Sequence, residues 1–99
     1  MAKVFISKSA DRDLENILCY SIEKFGDRIA DEYQSQLRAA LLRVGEDPRL
    51  GTAIPGRTRV FYKYNCKRHG IFYYKPARGI TIARILHLSM NFVRHLPKS

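Results

Sequence analysis

Ninety-nine residues allow one domain, 1–99, with a single modest core. Hydrophobic residues make up 45% of the chain, which excludes a disordered basic tail despite the net charge of +9. No apolar run approaches the roughly 20 residues of a membrane span, and two cysteines, Cys19 and Cys66, fit no metal spacing. The expectation is a cytoplasmic protein with reduced thiols, no metal and no cofactor. The opening Met1-Ala2-Lys3-Val4-Phe5-Ile6 runs straight into charge and does not read as a signal peptide.

Residues 3–7 are β-branched and aromatic enough for one strand. Ser9 is positioned to cap the helix that follows, with Asp11 and Asp13 in its first turn. Ala10, Leu14, Ile17, Leu18, Ser21, Ile22 and Phe25 then recur at spacings of three and four, as on one face of a helix. Gly26 ends that pattern and Asp27 caps a second one, carried by Ile29, Ala30, Tyr33, Leu37, Ala40, Leu41 and Val44 until Gly45 and Pro48 stop it. The two helices form an antiparallel hairpin. Residues 48–56, with two prolines and two glycines, read as a loop. Residues 59–64, 69–75 and 80–88 are rich in β-formers and read as three antiparallel strands, the last two joined by a turn at Pro76-Ala77-Arg78-Gly79. The order β-α-α-β-β-β predicts an α+β fold, an antiparallel sheet with the helical hairpin on one face.

Charge divides the chain at the same place. All nine carboxylates lie in the first 47 positions, beside seven cations, a balance of −2. From Pro48 onward there are eleven cations, three histidines (His69, His87, His95) and no acid. A half-chain so charged repels itself unless an external anion completes it, whether nucleic acid, acidic protein segment or phosphate-rich assembly. Strict alternation in the last strand sets Ile80, Ile82, Arg84 and Leu86 on one side and Thr81, Ala83, Ile85 and His87 on the other. One side meets the helices. The other, apolar with a cation in it, has nothing in the chain to cover it and so predicts a partner-binding groove.

Five segments in order resemble the ParE-type toxins of the RelE/ParE superfamily. They are Ser9-Ala10-Asp11-Arg12-Asp13-Leu14, Asp47-Pro48-Arg49-Leu50-Gly51, Arg68-His69-Gly70-Ile71-Phe72-Tyr73-Tyr74, Ile82-Ala83-Arg84-Ile85-Leu86-His87, and the ending Met90-Asn91-Phe92-Val93-Arg94-His95-Leu96. The resemblance implies a RelE/ParE-like fold and the toxic component of a bacterial type II toxin–antitoxin module. It further implies a hetero-oligomeric complex with a cognate antitoxin that lays an acidic amphipathic segment in the groove and brings in DNA indirectly. ParE-type members poison DNA gyrase by binding it; RelE-type members are ribosome-dependent mRNA endonucleases, the alternative reading. A non-toxic, antitoxin-binding relative is a second alternative.

Cleavage of RNA by attack of the 2′-hydroxyl requires acid, base and cations around the phosphate. Where the ribonuclease relatives carry those cations, this chain aligns Phe61, Gly70 and Ser89; only Lys63 remains, with His95 near a tyrosine position. That weighs against an enzyme and leaves no catalytic residue on the gyrase reading. The chain departs from the ParE pattern as well: where the family ends Leu-His-x-Arg-Met-Asp, His87 is followed by Leu88, Ser89, Met90 and Asn91. The expected antitoxin groove holds Arg84, Ile82, Leu86, Arg59 and Arg68, and the expected target-binding tail holds Met90, Arg94 and His95.

Each of these assignments has a plainer counterpart. Arg84, read as a groove cation awaiting an antitoxin carboxylate, is alternatively an internal partner of a helix acid. Arg57, Arg59, Lys67 and Arg68 alternatively form a solvated edge that guards against strand-on-strand pairing. Aromatics interleaved with cations, Phe61, Tyr62, Tyr64, Phe72, Tyr73 and Tyr74 among Arg59, Lys63, Arg68 and Lys75, suit base stacking but read first as strand alternation around a core. His69 reads as a solvated turn residue and His87 as a satisfied strand histidine.

Overall fold

Why a short strand, two helices and a β-rich remainder close on themselves is visible in the computed structural model, which describes residues 3–55 and 59–90. In chain order they form β1 (Val4–Ile6), α1 (Lys8–Phe25), α2 (Asp27–Glu46), a 3-10 turn (Pro48–Leu50), β2 (Thr52–Pro55), β3 (Val60–Cys66), β4 (His69–Tyr74) and β5 (Ile80–His87). The five strands make one sheet in the order β1-β5-β4-β3-β2. The fold is α+β as the pattern predicted, with two differences. The sheet is mixed, because β1 lies parallel to β5 (Val4 opposite Ile80, Ile6 opposite Ile82) while every other pair is antiparallel. It also gains β2 within the stretch expected to be loop. Thr52 to Pro55 pairs with Lys63 to Val60 at the sheet edge, where a proline at the strand's end costs no ladder bond.

The first helix begins earlier than Ser9. Ser7 is its cap: the Oγ accepts from the Ala10 amide at 3.0 Å and donates to the Ala83 carbonyl at 2.9 Å. That hydroxyl therefore satisfies an orphan helix amide and ties α1 to β5 at once. Gly26, at φ 88, makes the sharp corner between the helices, and its amide caps the Ile22 carbonyl.

Beneath the helices lies the core, with Ala10 and Leu14 of α1, Leu37, Ala40, Leu41 and Val44 of α2, and Ile71, Tyr73, Ile80, Ile82 and Ile85 of the sheet. Each buried aliphatic of this size contributes about 1.5–3 kcal/mol. Tyr73 is fully buried, and its hydroxyl both donates to the Pro48 carbonyl (2.7 Å) and accepts from the Gly51 amide (2.9 Å). A side chain at Gly51 would collide with that hydroxyl. The resemblance segment at residues 47–51 thus has a structural purpose, fastening the end of α2 to β4.

Strict alternation fails in β5. Tyr73 faces Ile82 and Phe72 faces Arg84, so Ala83 has no partner in β4 and forms a bulge. The bulge flips the face of every later residue. Ile80, Ile82 and then Ile85 point to the helices, whereas Arg84 and Leu86 share the face of Phe72. The face expected to be open is also closed: Phe61, Phe72 and Leu86 retain only 3%, 4% and 3% of their exposure.

Candidate binding site

The five residues expected to line one groove are dispersed by this geometry. Ile82 is a core residue on the helix side, fully buried, and Leu86 is buried on the opposite face. Arg84 already has its carboxylate. Its Nε donates to Asp13 Oδ2 at 2.8 Å and a terminal nitrogen to Asp13 Oδ1 at 2.9 Å, a bidentate pair. Asp13 Oδ2 also accepts from the Ile85 backbone amide at 2.9 Å. β1 ends opposite Ile82, so the β5 edge beyond it lacks a strand neighbour there; α1 crosses that edge, and Asp13 supplies the acceptor a strand would have supplied. With side-chain exposures of 22% and 11%, the pair is shielded from water, and the bonds to Asp13 hold the guanidinium's pKa above its usual value. The internal alternative for Arg84 is therefore the one the structure realises. Sequence distance concealed it, since 71 positions separate the partners.

Arg59 and Arg68 lie beyond opposite ends of β3, a strand of seven residues and so about 23 Å long. Arg68 follows Lys67 in the tight turn between β3 and β4. Lys67 holds φ 57, a left-handed conformation that costs a residue with a Cβ about 1–2 kcal/mol. Both cations stand at the mouth of a cavity of about 480 Å³ between the helical hairpin and the end of the sheet. Its walls are apolar: Ile17, Tyr20 and Phe25 of α1, Ile29 and Tyr33 of α2. Tyr20 is 59% exposed and Phe25 50%, so the hairpin presents aromatic surface that the fold does not bury. The helix periodicity included Phe25 and Ile29 as core positions. They sit on the correct face, but among the described residues they are only partly covered, Phe25 50% and Ile29 40% exposed.

The cavity floor is polar and internally satisfied. His69 is not a solvated turn residue: it is half-buried, its Nδ1 is hydrogen-bonded to the Tyr33 hydroxyl, and its ring meets His87 edge-on at 5.4 Å. Burial first, and the neighbouring His87 second, push its pKa down to about 4. The imidazole is then neutral near pH 7. Burial pushes the Tyr33 phenol and the Cys66 thiol up. His87 is satisfied by the Ser89 hydroxyl at 2.8 Å. Cys19 and Cys66 are both free, one exposed and one buried. Among the described residues no three histidine, cysteine or acidic side chains gather at metal-binding distance.

Lys63, the remaining cation of the ribonuclease alternative, lies on the sheet face away from the helices with its ammonium 5.8 Å from the Phe72 ring centroid. Met90 is exposed, its amide bonded to the His87 carbonyl. Arg94 and His95 lie outside the described residues.

Comparison with known proteins accords with this architecture. Curated relatives include Toxin ParE1 of Caulobacter vibrioides, 31% identical over 91 residues and covering 92% of this chain and 94% of the relative. Toxin ParE1 of Mycobacterium tuberculosis is 28% identical over 96 residues, covering 96% and 98%. Among solved structures, the chromosomal ParDE toxin–antitoxin system from P. aeruginosa superposes with a TM-score of 0.78 over 90% of this chain and 98% of that one; at 14% identity it bears on the fold alone. Residues 4–92 match the family described as the ParE toxin of type II toxin-antitoxin system, parDE. The chain belongs to the ParE toxin family: it is the toxic component of a type II toxin–antitoxin module, partnered by an antitoxin, and not an enzyme.

Proposed function

We propose that this toxin poisons DNA gyrase by binding it in the bacterial cytoplasm, and that its antitoxin silences it by seating an acidic amphipathic segment in the hairpin cavity. The observation that carries the antitoxin half is the pairing of unburied aromatics, Tyr20 and Phe25, with a cationic mouth, Lys67 and Arg68. An apolar stripe flanked by carboxylates complements such a surface. Apolar burial would supply most of the affinity, while charge would supply encounter rate and register. The strained backbone at Lys67 supports the same reading, since a glycine there would relieve the turn but remove a cation from the mouth. Membership of the ParE branch supports the gyrase half. No helix among the described residues is long and apolar enough to cross a membrane, which is compatible with a cytoplasmic target.

Regulated expression without antitoxin tests the target. Filamentous cells with an SOS response, together with gyrase-dependent DNA cleavage in a purified assay, are expected. Abrupt loss of translation, with codon-dependent mRNA cutting that Lys63→Ala abolishes, would establish the endonuclease reading instead. The cavity is tested by Tyr20→Ser and Phe25→Ser. Each is expected to weaken antitoxin binding by tenfold or more, about 1.5–3 kcal/mol for an aromatic anchor, without loss of fold. Unchanged affinity in both would place the antitoxin elsewhere.

A further inference from the structure

Four of the five strand ends at the end of the sheet opposite the hairpin tip lie side by side ahead of the finish of β2: the starts of β1, β3 and β5 and the finish of β4. Each brings a cation. Lys3 precedes β1, Arg59 precedes β3, Lys75 follows β4, and Arg78 lies in the turn before β5; all four are exposed. The turn and β1 are locked together, because the Ile80 amide donates to the Lys3 carbonyl at 2.8 Å. Gly79, at φ 67, lies so close that any side chain there would strike that carbonyl. With strands about 4.8 Å apart, the four cations span about 15 Å.

Three of these cations are held over aromatic rings. The Arg59 guanidinium lies 4.1 Å from the Tyr74 centroid, the Lys75 ammonium 4.4 Å from that of Tyr62, and the Lys3 ammonium 5.4 Å from that of Phe5. Ring contact holds a long side chain in place while its N–H groups still point outward. Among the described residues the ion pairs involve Asp13, Glu32 and Asp47, and none reaches this rim; Asp47, whose field is felt at Tyr73, is held by Arg49 at 3.0 Å. The charge segregation seen along the sequence therefore has a location, one end of the sheet.

We propose that this rim binds the phosphate backbone of double-stranded DNA, independently of sequence. The occupancy of the rings decides between backbone and base. Tyr62 stacks on Tyr73 and carries Lys75; Tyr74 meets Phe61 edge-on and carries Arg59. Rings so engaged offer less face to an unpaired base, and base stacking is how single-stranded nucleic acid is gripped. What remains are four cations spread over about 15 Å of rim, Arg59 over Tyr74 on the sheet face away from the helices and Lys75 over Tyr62 on the helix face, so that the rim offers donors on both sides of its edge over the rise of about four nucleotides of duplex backbone. The inference goes beyond the antitoxin reading and uses none of its cavity residues, so its failure leaves that reading intact.

The test is fluorescence anisotropy of the full chain with a labelled random-sequence duplex of about 20 base pairs, titrated from about 50 to about 200 mM salt. Four phosphate contacts predict a fall in affinity of roughly 100-fold across that range. Arg59→Gln and Lys75→Gln should each reduce the salt slope by about one. Lys24→Gln, an exposed cation in the last turn of α1, should leave it unchanged. Thermal melts of the same variants confirm that the fold persists. Absent or salt-independent binding would overturn the proposal. So would an equal effect of Lys24→Gln, which would reduce the binding to net charge. Tighter binding of single-stranded RNA of the same length, or equal displacement by polyglutamate, would assign the rim to a different partner and equally overturn it.

Discussion

Where α1 crosses the edge of β5, a guanidinium is gripped by a carboxylate; where β3 begins, another lies over a phenol ring. Arg84 is satisfied twice by Asp13, at 2.8 and 2.9 Å, in a shielded site. Arg59 has Tyr74 at 4.1 Å and is open to solvent. Both are arginines of the same basic half-chain, yet the first belongs to folding and the second is available for recognition. A cation that has found its counter-charge inside the molecule is spent on stability. One held in place by a ring still needs an anion.

This contrast breaks first, if at all, at the Arg84–Asp13 pair. Removing either partner leaves a poorly solvated charge or an unmet Ile85 amide, so Arg84→Ala and Asp13→Ala should each cost about 3 kcal/mol. For a chain of this length that is a drop in Tm of roughly 10 °C or more. The double variant should cost little more than either single one, because the partners act as a unit. Urea unfolding of the three variants measures this. Changes within about 0.5 kcal/mol would make the pair a surface contact and return Arg84 to the binding residues.

Ser7→Ala removes the cap of α1 and its bond to Ala83, and should cost about 1–2 kcal/mol. Hydrogen exchange should accelerate in the first turn of α1 and at the neighbouring edge of β5. Exchange unchanged at both sites would mean that the helix start is held by packing alone.

A graded effect is expected from pH. His69 is held neutral in the fold, with a pKa of about 4, by burial and by His87, against the weak opposing pull of Asp13. In the unfolded chain the same imidazole takes a proton near pH 6.5. The contribution of His69 should thus be constant above that value and decline as pH falls from about 6.5 toward 4, where the unfolded state binds the extra proton. His69→Gln should flatten that part of the profile in denaturation series at successive pH values. An identical slope in the variant would assign the dependence to other groups.

The smallest effect sharpens the comparison from the other side. Arg59→Gln and Lys75→Gln should change stability by no more than about 0.5 kcal/mol, as expected of exposed cations without a carboxylate partner. A large loss in either would mean that ring contact alone makes the rim structural.

Local patterns located both helices, since periodicity, Gly26 and the core positions from Leu37 to Val44 are set by residues three and four apart, but they misplaced both caps: Ser7 rather than Ser9 caps α1, and Asp27 is the first residue of α2 with no side-chain cap bond before it. The charge asymmetry was equally plain in the chain, and so was the family resemblance, because its segments are contiguous. What depended on the packed molecule was every relation between distant residues. A single unpaired residue, Ala83, exchanged the faces of Arg84 and Ile85, and no alternation rule announces a bulge. Asp13 and Arg84 lie 71 positions apart and meet only because β1 is too short to cover β5. Residues 52–55 became a strand because β3 offered an edge to pair with, whereas the prolines and glycines of the surrounding stretch 48–56 argued for a loop. Tyr20 and Phe25 were legible as a helix face but not as a vacant one, since vacancy is a property of where the sheet ends. Periodicity acts through neighbours along the chain; pairing, burial and charge compensation act through space, and the sites of this toxin are made of the second kind.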